Sequence, residues 1–75
     1  MIIEWRETAE VSARRFLRDQ PGLLALGQAI AALAFDPYPA EAFPWGTFQR
    51  LHVGQYRVLY TVEGDLIEIW RVDRV

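Results

Sequence analysis

The chain has 75 residues, of which 52% are hydrophobic; it carries three Trp, three Tyr, four Phe and no Cys, with a net charge of −2. A chain this short buries only about 60% of the surface that its unfolded form exposes, so residues 1–75 read as one domain with an aromatic-rich core. That composition excludes a disordered segment, a disulfide framework, a thiolate zinc site and a uniformly basic nucleic-acid binder.

All eight basic side chains are Arg, and each is a planar fork that stays charged and grips a phosphate with two parallel hydrogen bonds. Their distribution matters more than the total. From Thr47 to Val62 the only charged residues are Arg50 and Arg57, with His52 between them, while Glu63, Asp65, Glu68 and Asp73 cluster afterwards. A local positive patch of Arg50, His52 and Arg57, extended by Arg71 and Arg74, is expected on a mildly acidic protein.

Met1–Glu7 gains charge at once and has no apolar run before a small-residue cleavage site, so no signal peptide is expected. Leu23–Phe35 is the longest apolar stretch and is too short to span a bilayer. A soluble, cytoplasmic protein is expected, with no membrane partner and no metal or other cofactor.

Ile2–Trp5 alternates weakly as a short first strand, and Thr8 is the expected N-cap of a helix over about Ala9–Arg18. Ala9, Ala13, Phe16 and Leu17 recur on its buried side, leaving Arg14, Arg15 and Arg18 outward. Asp19-Gln20-Pro21-Gly22 breaks the chain, and Pro21 suits the first turn of a second helix running to about Phe35. Leu23, Leu26, Ile30 and Leu33 form one stripe of that helix. Its remaining positions are unusually apolar, which predicts burial on more than one side, with alanines allowing close approach to the first helix.

Asp36-Pro37-Tyr38-Pro39 stops the helix. A loop to about Thr47 is expected to fold Phe43 and Trp45 back onto the core. The remainder reads as an antiparallel meander of Phe48–Val53, Tyr56–Val62 and Leu66–Val72, turning at Gly54-Gln55 and Glu63-Gly64-Asp65. Period-2 alternation puts Tyr56, Val58, Tyr60 and Val62 on the helix-facing side and Arg57, Leu59 and Thr61 on the other. Phe48, Arg50 and His52 share one face of the preceding strand, beside Arg57 after pairing. For the last strand, Ile67 and Ile69 are assigned inward, the alternative being Leu66, Trp70 and Val72.

The ordered set of Thr8-Ala9 after the first strand, Asp36-Pro37, Trp45-Gly46, Arg50-Leu51-x-Val53-Gly54-x-Tyr56-Arg57-Val58-Leu59-Tyr60 and Arg71-Val72-Asp73-Arg74 resembles the RelE/ParE superfamily of type II toxin–antitoxin toxins. The resemblance covers nearly the whole chain. It implies an α+β fold of order β-α-α-β-β-β, with an antiparallel helical hairpin on one face of a mainly antiparallel four-stranded sheet.

The resemblance also implies a toxin neutralised by a cognate antitoxin; on physical grounds a disordered antitoxin tail is expected to wrap the helical hairpin and cover the arginine-bearing sheet, folding as it binds. In the favoured RelE-like branch the activity is ribosome-dependent mRNA cleavage: an endoribonuclease reaction in which the ribose 2′-OH attacks the adjacent phosphorus. Arg57 matches the family's functional arginine after the hairpin tyrosine and is assigned to phosphate and transition-state stabilisation. Arg50 stands where relatives carry a basic residue, and His52 is the one side chain with an unperturbed pKa near neutrality, hence the candidate acid or base. Arg50, Arg57, Arg71 and Arg74 are the expected RNA contacts, with pairing to an acidic neighbour the alternative for Arg71, while Tyr56 reads as core. Many RelE-like enzymes carry a further arginine or histidine and a tyrosine after the last strand, and with Val75 as the last residue read here an incomplete family catalytic set is the expectation. The YoeB-like branch's glutamate has no secure counterpart in Ala42–Gly46. Two alternatives share the fold: a ParE-like inhibitor of DNA gyrase, and a catalytically inactive relative that binds the antitoxin alone.

Overall fold

The computed structural model describes residues 1–75, in the order β1 (Ile2–Trp5), α1 (Glu7–Arg14), α2 (Gln20–Ala32), β2 (Ala42–Trp45), β3 (Phe48–Val53), β4 (Tyr56–Glu63) and β5 (Leu66–Arg74). The sheet order is β1-β5-β4-β3-β2. β1 runs parallel to β5, and every other pair is antiparallel. Both helices pack on one face, so the α+β class expected from the sequence holds, with five strands rather than four.

The extra strand is β2, in the segment expected to be a loop. Three tight hairpins share one device: Gly46-Thr47, Gly54-Gln55 and Gly64-Asp65 each put glycine first of two turn residues, at φ 62°, 59° and 61°. Positive φ at that position matches the right-handed twist of the flanking strands, and glycine adopts it without a Cβ penalty.

α1 begins at Glu7, with Arg6 as its N-cap and Glu7 and Glu10 in the first turn. Carboxylates there suit the positive end of the helix dipole. Thr8 is therefore not the cap. The backbone N–H of Arg6 still donates to Ile69 O at 2.9 Å, so the helix starts directly off the end of β1. It also ends earlier than expected: Phe16 N–H donates to Ala13 O and Asp19 N–H to Phe16 O, at 3.0 and 2.9 Å. These tighter i→i−3 bonds convert Arg15–Arg18 into a turn.

Asp19 caps α2, its carboxylate accepting from Gly22 N–H at 3.0 Å, with Pro21 in the first turn. Tyr56 donates its hydroxyl to the other carboxylate oxygen at 2.7 Å. A Cβ on Gly22 would run into Asp19 Oδ2 and lie 2.8 Å from the Tyr56 ring, so glycine allows this close approach. Leu26, Ile30 and Leu33 of the α2 side are buried as expected. Burial stops at that one stripe: Leu24 is 65% and Phe35 93% exposed. The helices also do not close on each other through their alanines; α1 packs chiefly on β5, and α2 on β3.

The core adds Ala9, Leu51, Tyr56, Val58, Tyr60, Ile67, Ile69 and Val72. Both inward sets considered for β5 contribute, because the register slips between Leu59 and Tyr60, whose partners are Arg71 and Ile69. Trp70 is the extra residue. A bulge of this kind turns the strand, so Ile67 and Ile69 point inward before it and Val72 after it.

Beyond Ile69, β5 has no strand on its β1 side, and α1 supplies the missing partners. Thr8 Oγ1 donates to Trp70 O at 2.6 Å, Ser12 Oγ accepts from Val72 N–H at 2.9 Å, and Arg15 donates to Val72 O at 3.0 Å. Spacings of four and three place these side chains along one helix face. No helix is long and apolar enough to cross a membrane.

Candidate functional site

The sheet face opposite the helices gathers the expected site residues. Alternation in β3 and β4 puts Arg50 and His52 beside Arg57, with His52 directly across from Arg57 and Arg50 across from Leu59. On its other side Arg57 faces Asp73 of β5. Opposed residues in a sheet have Cβ atoms about 5 Å apart, so these groups form one patch.

β2 completes the patch. Phe43 pairs with Arg50 and Trp45 with Phe48, which turns both aromatic rings to the same face as the arginines. The expectation that they pack into the core fails: Phe43 is 39% and Trp45 52% exposed. They hold the basic groups instead. The Arg50 guanidinium lies 3.9 Å from the Trp45 ring centroid and 5.6 Å from that of Phe43, and His52 meets Phe43 edge-on at 4.7 Å. The missed signal is Gly46-Thr47, the same Gly-X pair as the two turns that were legible, flanked by alternating Phe43, Trp45 and Phe48.

Trp45, Arg50, Arg57, Leu59, Asp73 and Arg74 border a cavity of about 390 Å³. Arg50, Arg57 and Arg74 have no carboxylate within ion-pair distance. The Nε atoms of Arg50 and Arg57 and Nε2 of His52 are shielded from solvent without a hydrogen-bond partner. Shielded polar atoms left unpaired cost about 1–3 kcal/mol each, and a ligand entering the patch is one partner that would satisfy them.

Asp73 does not neutralise this site, because its carboxylate is engaged by Arg15 at 2.9 Å and Arg71 at 2.8 Å. Partial burial pushes its carboxyl up, but hydrogen bonds from Arg71 and Arg15 outweigh that and hold it below the usual carboxylate range. Arg71 is thereby tied up, and it borders a different groove, beside Thr8, Ser12 and Arg15 of α1. His52 borders the groove between α2 and β3, near Asp36 and Glu41. Tyr56 is buried, and its hydroxyl serves Asp19 rather than the cavity. The arrangement presents fixed, permanently charged donors to one cavity. No cluster of three His, Asp or Glu side chains is placed to hold a metal ion.

The family model of the ParE toxin of type II toxin–antitoxin systems matches residues 3–74. The fold is similar to that of YafQ from Escherichia coli, with a TM-score of 0.79 and 17% identity over 97% of this chain and 91% of that one. It is likewise similar to a chain of the RelBE2 toxin–antitoxin complex from Mycobacterium tuberculosis, with a TM-score of 0.70 and 21% identity over 97% and 95% of the two chains. A chain of the YoeB–YefM complex from Staphylococcus aureus gives a TM-score of 0.75 and 11% identity over 100% and 97%. No curated protein matches the sequence. With the sequence model spanning nearly all of the chain and these folds around it, the protein belongs to the ParE toxin family, within the RelE/ParE superfamily of type II toxin–antitoxin toxins.

Proposed function

We propose that this toxin is a ribosome-dependent mRNA interferase neutralised by a cognate antitoxin. The observation that supports this reading is the cavity bordered by Arg50, Arg57 and Arg74, in which Arg50 and Arg57 lack a carboxylate partner and have shielded, unpaired Nε atoms. In the reaction, the ribose 2′-OH loses its proton and its oxygen attacks the adjacent phosphorus. The bond to the 5′-oxygen breaks, that oxygen takes up a proton, and a 2′,3′-cyclic phosphate remains. Negative charge builds on the phosphoryl oxygens along the way, and preorganised donors aimed there lower the barrier. Arg57 is assigned to that charge, with Arg50, held against Trp45, as its partner. Arg74 carries a flanking phosphate. His52, opposite Arg57, is the candidate for moving the proton.

A second reading follows from the matched family, which is named for ParE: inhibition of DNA gyrase by protein contact, with no proton transfer. An antitoxin that masks the arginine face suits either reading, since RelBE2 and YoeB–YefM are solved as complexes.

The test is a programmed translation extract in which RNA 5′ ends are mapped. The wild type yields new ends within codons on the ribosome. Arg57→Ala abolishes them while far-UV circular dichroism and antitoxin binding stay unchanged. Loss of gyrase supercoiling without new RNA ends would replace the nuclease reading with the ParE-like one, and silence in both assays would leave an antitoxin-binding relative.

A further inference from the structure

Five of the eight arginines form no salt bridge: Arg14, Arg18, Arg50, Arg57 and Arg74. All five border just two cavities. Arg50, Arg57 and Arg74 line the one on the open sheet face. Arg14, Arg18 and Arg74, together with the carboxylate-bound Arg15, line a second of about 570 Å³ at the turn between α1 and α2. Arg74 belongs to both, so the cavities adjoin at the C-terminal end of β5.

The charge separation is strong for a chain of net charge −2. Six arginines border the two cavities against two side-chain carboxylates, Asp19 and Asp73. The rest of the chain holds two arginines against eight carboxylates. Both cavity carboxylates are already occupied, Asp19 by Tyr56 and Gly22, Asp73 by Arg15 and Arg71. Asp73 is neutralised by its two arginines, whereas Asp19, held by neutral donors, keeps its charge near Arg74; arginines still outnumber side-chain carboxylates in both cavities.

Aromatic rings alternate with the cations. Arg50 lies on Trp45, and Arg15 and Arg74 lie 4.9 and 5.0 Å from the Phe16 ring centroid. Guanidiniums track a phosphate backbone while exposed rings such as half-exposed Trp45 accept a base, the usual division of labour in single-strand binding. An acidic peptide offers charge but no bases.

We infer that the two cavities form one phosphate track for single-stranded RNA, running from Arg50 and Arg57 across Arg74 into the cleft of Arg14 and Arg18. The inference rests on the RNA ligand of the proposed function but extends contact well beyond the scissile phosphate. The second cleft adds affinity and register to a strand already engaged on the sheet face. Arg71, neutralised by Asp73, lies off the track.

The probe is fluorescently labelled 2′-O-methyl RNA, which cannot be cleaved, as a trinucleotide and as a decamer of mixed sequence, measured by anisotropy between 50 and 200 mM salt. Five phosphate contacts give a slope of log K against log salt near −3.5, or a loss of about 100-fold over that range for the decamer. The double variant Arg14→Gln/Arg18→Gln retains about three contacts, so its slope falls to near −2.1 and its loss to about 20-fold. It binds the trinucleotide like the wild type. Arg57→Ala weakens both probes.

A double variant that keeps the wild-type slope on the decamer while Arg57→Ala weakens it overturns the track and leaves the sheet-face site standing. If Arg57→Ala is also without effect, both fail. A glutamate decapeptide that binds as tightly as the RNA decamer, and loses affinity in the double variant, overturns the RNA assignment in favour of an acidic protein segment. Both substituted residues are exposed, and a thermal melt matching the wild type establishes that the fold is intact.

Discussion

The Arg50 guanidinium lies 3.9 Å from the centroid of the Trp45 ring, a contact that ties the edge strand β2 to the cation at the centre of the candidate site. An arginine carries several rotatable bonds, and stacking removes that freedom before a ligand arrives. A cation–π contact at a half-exposed position contributes about 0.5–1 kcal/mol. Trp45→Ala should therefore lower cleavage, or RNA affinity, by about two- to fivefold while global stability changes little. Trp45→Phe keeps an aromatic face and should recover most of the loss. Equal activity in wild type and Trp45→Ala would show that Arg50 needs no such support.

The open edge of β5 gives a prediction for stability. Ser12 is buried, donating to Ala9 O at 2.9 Å while accepting from Val72 N–H. Ser12→Ala strands the Val72 donor beneath α1, and a buried unpaired group costs about 1–3 kcal/mol. Thr8→Val removes the bond to Trp70 O at the exposed end of the same row, with a loss of about 0.5–1.5 kcal/mol. Urea denaturation at neutral pH measures both. The order matters: a larger loss for Thr8→Val than for Ser12→Ala would contradict this account of the edge.

Gly22 carries the junction of α2 and β4. An alanine there would force its Cβ into the Asp19 carboxylate and the Tyr56 ring, even though alanine is the better helix former. Overpacking of this kind costs about 1–3 kcal/mol. Gly22→Ala is therefore destabilising, with a lowered denaturation midpoint and altered near-ultraviolet tyrosine signals. Gly27, on the same helix, has open space where a Cβ would stand, with no other group within 4 Å. Gly27→Ala should stabilise by about 0.5–1 kcal/mol, since alanine restricts the unfolded chain and favours the helix.

Much of the sheet was legible because strands repeat every two residues. The alternation from Tyr56 to Val62 fixed which side Arg57 takes, and Gly54-Gln55 fixed its register with His52. β2 was hidden by Pro44 and by its length of four residues; a proline inside a short apolar run reads as loop, although an edge strand tolerates it. Trp45 and Phe43 were expected inside because large rings usually bury, but their partners proved to be cations from another strand. Thr8 read as a cap because local sequence offers that role, whereas its actual acceptor, Trp70 O, belongs to a strand nearly the whole chain away. The β5 bulge left no trace in the pattern, since Ile67, Ile69, Trp70 and Val72 satisfy either alternation. The pairing of Arg71 with Asp73 and the freedom of Arg14 and Arg18 depend on folded distances, which spacing alone does not supply.

Stability should fall at both ends of the pH scale, for different groups. The Tyr60 hydroxyl is buried and donates to Pro37 O at 2.6 Å, and burial, with Tyr38 and Asp36 adding to it, pushes its pKa from 10.0 up to about 12. A raised folded pKa stabilises fully below the unfolded value, so this contribution is intact up to about pH 10 and is lost between pH 10 and 12 as the unfolded chain ionises first. The hydrogen bond to Asp19 raises the Tyr56 phenol in the same direction. At the acid end, hydrogen bonds from Tyr56 and Gly22 hold the Asp19 carboxyl below its ordinary value of 3.8, and Asp73 is lowered too. Lowered carboxyls stabilise above the unfolded pKa, and that contribution disappears as pH falls below about 4. Urea midpoints across the scale test the assignment. Tyr60→Phe should flatten the alkaline decline while costing stability at neutral pH, because Pro37 O loses its donor. Asp19→Asn keeps an oxygen acceptor for Gly22 and should flatten the acid decline, together with the part of the alkaline decline that comes from Tyr56, whose phenol loses its anionic acceptor. An alkaline decline unchanged in Tyr60→Phe would transfer the effect to Tyr56.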